Sequence, residues 1–430
     1  MFMPMTGWRR LTSPRPYKLL TCTAAVGALL MTGCGVLPGA SGDSREPVTV
    51  MTWAPNGSTG PDTANMAGMT AMARAYARWV NNNGGVDGHK LLVVTCNEGD
   101  TPVGAGNCAR QAVKEKAVAV VGSYSRHGQA FMAPLEVAGI PYIGGYGASE
   151  EEFSSYDSYP VNGGQPALLA GNAKQLARGC ERVSVVRPDT LGGDNQAWLL
   201  NTGLKEAQRP AATDVRAAET ATSYDAAAGR ALQGAGTADG CVTAVLGDRT
   251  ETFFDSFRRL EPSYGDVRIS SVLGSVDQPL IDRTGGRESP FEGAYVAGWY
   301  PDAGDARWDE MREVIRKHAF GDNRIDPDDT GVQTTWIAYT VLKEIVAAID
   351  EPEITAGKLT VALNRGAKVD TGGLTPVLRW RFEDMLGSSA YPRIVNRKVT
   401  FQVVRKGRLV AENKGFVDVT KTLADASAKG

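Results

Sequence analysis

"NNNGGVDGHKLLVVTCNEGD" occupies residues 81–100 and joins two kinds of periodicity. Before it, Met66, Met69, Ala73, Tyr76, Ala77 and Val80 fall on one helical face, so a helix is expected from about Asn65 to Asn81. Asparagine and glycine, which both tolerate positive φ, then stop it. "HKLLVVTC" follows as a short apolar run of strand character. Downstream come a helix in "GNCARQAVKEK", a strand in "AVAVVGS", a helix in "AFMAPLEVAG" and a strand in "IPYIGG". Upstream, "VTVMTW" (48–53) is another strand, and the loop "APNGSTGPD" separates it from the first helix. Such a βαβα order predicts a parallel sheet covered by helices on both faces.

The rhythm restarts after residue 163. "ALLAGNAKQLARG", "NQAWLLNTGLKEA", "DAAAGRALQGAG" and "ETFFDSFRRLE" read as helices. Between them "ERVSVVRP", "AATDVRAAE", "CVTAVLG", "VRISSVLG" and "FEGAYVAGWYP" read as strands. Two further helices are expected near Ala306–His318 and Val332–Ile349. The tail, from "LRWRFEDML" to "FVDV", changes to an antiparallel β pattern. The fold class is therefore α/β, with two similar doubly wound parallel-sheet lobes joined by a hinge. Residues 47–162 with 300–370 are assigned to lobe 1, and 163–299 with 371–430 to lobe 2. In open α/β sheets a ligand lies beyond the carboxyl ends of the strands, so facing lobes make a cleft.

With 430 residues, 42% apolar and 22% charged, the chain can bury a sizeable core. Its 46 basic and 48 acidic residues give no basic surplus, which argues against nucleic acid as a partner.

The amino terminus has its own logic. Arg9, Arg10, Arg15 and Lys18 form a basic region, and Leu19 to Met31 is apolar or small. That run is too short for the roughly 20 apolar residues a membrane span needs, but suits a signal peptide over residues 1–33. "LLMTGCG" at its end resembles the lipobox of bacterial lipoproteins, with Met31 where leucine is usual. The resemblance implies lipidation of Cys34, followed by a small, polar tether over 34–46. It also implies an exported protein held at the outer face of the cytoplasmic membrane.

Cys96, Cys108, Cys180 and Cys241 remain in the exported part. An even number in that setting reads as disulfides, and four cysteines allow three pairings. Cys96 closes a strand twelve residues before Cys108 at a helix start, while Cys180 and Cys241 each precede a strand of one sheet. The pairs 96–108 and 180–241 are favoured. A zinc site is disfavoured, because there is no CxxC and His89, His127 and His318 are scattered.

The ordered set "NNNGGVDGHKLLVVTCNEGD", "AVAVVGSYS", "LEVAGIPYIGG" and "GGLTP" (372–376) resembles the periplasmic branched-chain amino-acid-binding family, the type I solute-binding proteins of ABC importers. The resemblance spans residues 48–420. It implies that the turn after "AVAVVG" meets the ligand through Tyr124 and Ser125, the serine holding a carboxylate. It further implies that "GGYGAS" contributes Tyr146, Ala148 and Ser149, and that the loop after the first strand adds a wall including Asn56. The second half departs from the pattern. Leu191 stands where an aromatic residue is common, and "SVLGS" offers no acidic group for an ammonium. Asp248, ending "CVTAVLGD", is the alternative carboxylate. Trp299 and Tyr300 fall at a crossover and suit hinge packing as well as ligand stacking.

No GxSxG, HExxH or GxxxxGK[ST] occurs, and "GAGNCA" does not directly follow a strand as a dinucleotide turn would. The expected function is non-enzymatic and cofactor-free: capture of a small polar solute, an amino acid or related, between two lobes for delivery to ABC permease subunits. A tethered ligand-binding sensor on the same fold, acting through a membrane signalling partner, is the alternative.

Overall fold

The computed structural model describes residues 45–57, 64–236, 239–260, 267–386 and 388–427. The signal segment, Cys34 and all but the end of the tether lie outside these residues.

The first lobe opens with β1 (Val48–Trp53), α1 (Ala67–Asn82), β2 (Leu91–Cys96), α2 (Pro102–Lys114), β3 (Ala119–Val121), α3 (Gly128–Ala138), β4 (Tyr142–Ile143), α4 (Glu151–Ser154) and β5 (Ser158–Tyr159). Its strands are all parallel in the order β2-β1-β3-β4-β5. β1 is buried at five of its six positions, as a central strand covered on both faces must be. The helix after it buries Met69, Ala73, Tyr76, Ala77 and Val80, the stripe that the periodicity marks. α4 and β5 are too short to leave a periodic signal.

The second lobe is built from α5 (Gly164–Gly179), β6 (Arg182–Pro188), α6 (Leu191–Glu206), β7 (Thr213–Ala217), α7 (Asp225–Ala235), β8 (Gly240–Ala244), α8 (Thr250–Leu260), β9 (Arg268–Val272), α9 (Gln278–Arg283) and β10 (Tyr295–Gly298). The chain then returns to the first lobe as α10 (Asp309–His318), α11 (Thr330–Ile349) and α12 (Ala356–Asn364). α10 and α11 pack on α1, where Tyr76 meets Trp336 edge-on at 5.1 Å. Finally β11 (Lys398–Arg405), β12 (Arg408–Ala411), β13 (Val417–Asp418) and α13 (Thr420–Ser427) complete the second lobe. Its sheet runs β12-β11-β10-β9-β8-β6-β7, with β11 antiparallel to β10, β12 and β13.

The antiparallel tail is thus present from Lys398 onward, but "LRWRFEDML" (378–386) is not a strand. Trp380 leaves the β pattern because its ring is fully buried against the first lobe, where Nε1 donates to Pro160 O at 3.1 Å. Arg379 and Arg381 turn back onto Asp384. Residues 371–396, expected with lobe 2, direct further bonds to the end of the first sheet: Arg393 Nε donates to Ser158 O at 2.8 Å and Asn396 Nδ2 to Val161 O at 3.1 Å.

Both disulfides form as favoured, Cys96–Cys108 and Cys180–Cys241, with Cα separations of 5.7 and 5.8 Å. Each staples a helix to a strand within one lobe. No helix among the described residues is long and apolar enough to cross a membrane.

Candidate functional site

At the carboxyl ends of β3 and β4 the chain turns away from the sheet because a helix lies directly beneath. A Cβ on Gly122 would stand 3.0 Å from Thr335 Cα, and one on Gly144 would stand 2.4 Å from Ala338 Cβ. Both glycines have positive φ, 58° and 62°. Only glycine lets the strand end rest on α11 and turn there. The segments that follow, 123–127 and 145–149, are tied together: Tyr124 N–H donates to Trp53 O at 3.0 Å and Tyr146 N–H to Ser123 O at 2.9 Å.

These turns present Tyr124, Arg126, Tyr146 and Ala148 to a cavity of about 440 Å³. Opposite them stand the strand ends of the second lobe: Pro188 at the end of β6, Glu219 after β7, Asp248 after β8, Gly274 after β9 and Trp299 after β10. The cavity therefore lies between two sets of strand carboxyl ends, where open α/β sheets hold ligands, and its volume suits a small molecule. The lobes approach closely at one edge. A Cβ on Gly274 would be 2.9 Å from the Tyr146 hydroxyl, and that glycine has φ +87°.

Three aromatic rings form a continuous run along the wall, from the first lobe's turns to the end of β10. Tyr124 and Tyr146 have ring centroids 5.2 Å apart, and Tyr146 meets Trp299 edge-on at 5.3 Å. Trp299 Nε1 donates to Gly164 O at 2.9 Å, which fixes the indole beside the cavity. Its neighbour Tyr300 is instead buried at the crossover, bonded to Asn162 Nδ2 and Thr334 Oγ1, both at 3.1 Å. The two aromatics of the crossover have thus separated, one to the cavity wall and one to the hinge.

The remaining expected residues are placed differently. Ser125 is 0% exposed and is not a wall of the cavity. Its hydroxyl donates to Glu98 Oε2 at 3.2 Å and accepts from His127 N–H at 3.1 Å. Ser149 is buried, and its hydroxyl donates to Glu152 Oε1 at 3.3 Å. Asn56 is exposed and is linked through its backbone to Asn97; residues 58–63 of the same loop lie outside the described residues. Leu191 is 86% exposed at the first turn of α6, away from the cavity. The neighbouring Thr190 side chain caps that helix by accepting from Gly193 N–H at 3.1 Å, and this turns Leu191 outward. Of the eight expected ligand residues, Tyr124, Tyr146, Ala148 and Asp248 come together at the cavity.

Sequence reasoning missed Arg126, Glu219 and Gln165 in the wall, and the two buried glutamates behind it. Burial, with Asp100 nearby, pushes the Glu98 carboxyl up to about 7. Burial pushes Glu152 up to about 7 as well, even though it accepts from the N–H groups of Gly147, Ala148 and Ser149. Arg126 is held charged by its hydrogen bond to Asp100, with Nε 3.1 Å from Oδ1. The strand-end position of Arg126, next to Ser125, was the available signal.

Residues 55–386 match the model of a family described as "Periplasmic binding protein". No curated protein matches this chain. Among solved structures, a substrate-binding periplasmic protein from Ralstonia solanacearum is similar with a TM-score of 0.67 and 17% identity, over 85% of this chain and 100% of that one. A branched-chain amino acid ABC transporter protein from Thermus thermophilus, described with bound valine, gives 0.68 and 15%, over 88% and 99%. An ABC transporter solute binding protein from R. palustris, in complex with 4-hydroxybenzoate, gives 0.67 and 15%, over 86% and 97%.

Proposed function

This chain belongs to the periplasmic binding protein family, has its type I fold, and on that premise we propose that it captures a small polar solute between its two lobes. The observation that carries this reading is the cavity of about 440 Å³ between two sets of strand carboxyl ends, with Tyr124 and Tyr146 on one side and Asp248 on the other. Similar structures are described with valine and with 4-hydroxybenzoate, so an amino acid or a related compact solute is the class to expect. Binding closes the lobes about the crossovers near Asn162, Tyr300 and Asn396. A lipid on Cys34 keeps the protein at the membrane, where it delivers the solute to ABC permease subunits.

Thermal-shift screening of the purified protein against amino acids, amines, amides and small aromatic acids tests the reading. A ligand at 100 times its Kd adds about 2.7 kcal/mol of stability, a readily visible rise in Tm. The same ligand should give no shift with Tyr146→Ala, which removes the ring at the centre of the aromatic wall. A screen in which no small solute shifts the wild type would sink the proposal.

A further inference from the structure

The first lobe faces the cavity with few donors left for an anion. The backbone N–H groups of Gly147, Ala148 and Ser149 converge at one point, as an anion-binding turn would, but Glu152 already fills it. Its carboxylate accepts from Gly147 at 2.9 Å, Ala148 at 2.9 Å and Ser149 at 3.1 Å. The Ser125 hydroxyl is engaged by Glu98 in the same way, and Arg126 by Asp100. The chain's own side chains thus occupy the clustered backbone N–H groups, the Ser125 hydroxyl and the Arg126 guanidinium at the strand ends of β3 and β4, which leaves only the neutral tyrosine hydroxyls as donors there.

The unmatched charge of the wall is negative. Asp248 and Glu219 have neither an ion pair nor a hydrogen bond among the described residues, whereas Arg249, the other cation of the wall, has a partner of its own. The Asp248 carboxylate acts across the cleft on Arg126 and Tyr124, and it lines the same cavity as the three aromatic rings. The Tyr124 and Tyr146 hydroxyls likewise have no hydrogen-bond partner among the described residues. Aromatic faces attract cations and organic cations above all, and a buried anion without donors is strongly disfavoured.

Resting on the solute-capture reading above, we propose that the ligand is an organic amine without a carboxylate, its ammonium directed to Asp248 and Glu219 and its carbon skeleton against Tyr124, Tyr146 and Trp299. Valine and 4-hydroxybenzoate, described in the similar structures, both carry the carboxylate that this site leaves without an anchor. Glu152 and Glu98, buried behind the wall, favour the amine indirectly, by holding the N–H groups of the turn and the Ser125 hydroxyl away from the cavity.

Matched pairs differing only in the carboxylate test this directly: phenylalanine with 2-phenylethylamine, leucine with isoamylamine, arginine with agmatine. Titration calorimetry on the purified wild-type protein should find at least one amine bound ten or more times tighter than its parent amino acid. Asp248→Asn should weaken that amine at least tenfold. Glu152→Ala, which bares the three N–H groups, should raise affinity for the parent amino acid; should it fail to fold, the matched pairs and Asp248→Asn decide the inference by themselves. An amino acid bound as tightly as its amine overturns the inference and leaves solute capture standing. Binding of no member of any pair overturns the inference, and a negative broad screen then removes the capture reading as well.

Discussion

The Ser125 hydroxyl donates to Glu98 Oε2 at 3.2 Å, with both residues almost wholly buried. A serine at the mouth of a ligand cleft is thereby turned inward, to hold a carboxyl that burial pushes up to about 7. Ser125→Ala should therefore act on stability. Loss of a hydrogen bond to a buried acidic group costs about 1–3 kcal/mol, and ligand affinity should stay within about twofold. Urea unfolding and calorimetry on the same variant separate the two. A tenfold loss of affinity with unchanged stability would return Ser125 to the binding site.

Three buried carboxyls give the fold a pH signature. Burial pushes Glu98, Glu152 and Asp329 each up to about 7. Between the ordinary values of 4.5 or 3.8 and about 7, the folded protein holds protons that the unfolded chain has released. Stability from these groups must fall as pH rises through that interval. Asp384 works oppositely: its hydrogen bond to Arg381 holds it down at about 2, so its contribution is lost only as pH drops below 3.8. Calorimetric Tm should be higher at pH 5 than at pH 8, and Glu152→Gln should flatten the slope. A Tm that climbs from pH 5 to pH 8 would contradict the burial of these carboxyls.

The two disulfides differ in the length of chain they close, 12 against 61 residues. On the chain-entropy view the loops are worth about 3 and about 4 kcal/mol. The double replacement of Cys180 and Cys241 by alanine should lower stability more than that of Cys96 and Cys108. Non-reducing peptide mapping of the wild type should recover both pairs, and a bridge joining one lobe to the other would exclude a hinged molecule.

Membrane retention provides a separate check. Metabolic labelling with a palmitate analogue should mark the wild type, and Cys34→Ala should lose both the label and the membrane fraction. Persistent labelling of the alanine variant would remove the lipid anchor from the proposal.

The βα order of both lobes was legible because each strand ends in a turn and each helix carries an apolar stripe, as Met69, Tyr76 and Val80 do in α1. The same logic reached Tyr124, Tyr146, Ala148 and Asp248, which sit three to five residues beyond strand ends. It did not reach Glu152. Nothing in "GGYGASEEEF" separates a solvated helix-start glutamate from one folded back beneath the turn, because that choice depends on what buries it. Leu191 misled for the converse reason: its position after β6 is correct, but a cap at Thr190 turns it outward. "LRWRFEDML" has β-like alternation, yet Trp380 is drawn under Pro160 by the crossover rather than into a ladder.

The route of the chain carries a consequence for biosynthesis. The first sheet is complete by Tyr159, but α11, which packs on β3 and β4, begins only at Thr330. The second sheet lacks β11, next to β10, until Lys398. As the chain leaves the ribosome, neither half can finish burying its apolar surface until most of the other has been made. Contacts so distant in sequence slow folding. For an exported protein that delay is useful: the growing polypeptide stays loose enough to be threaded through a secretion channel, and both halves set together on the far side.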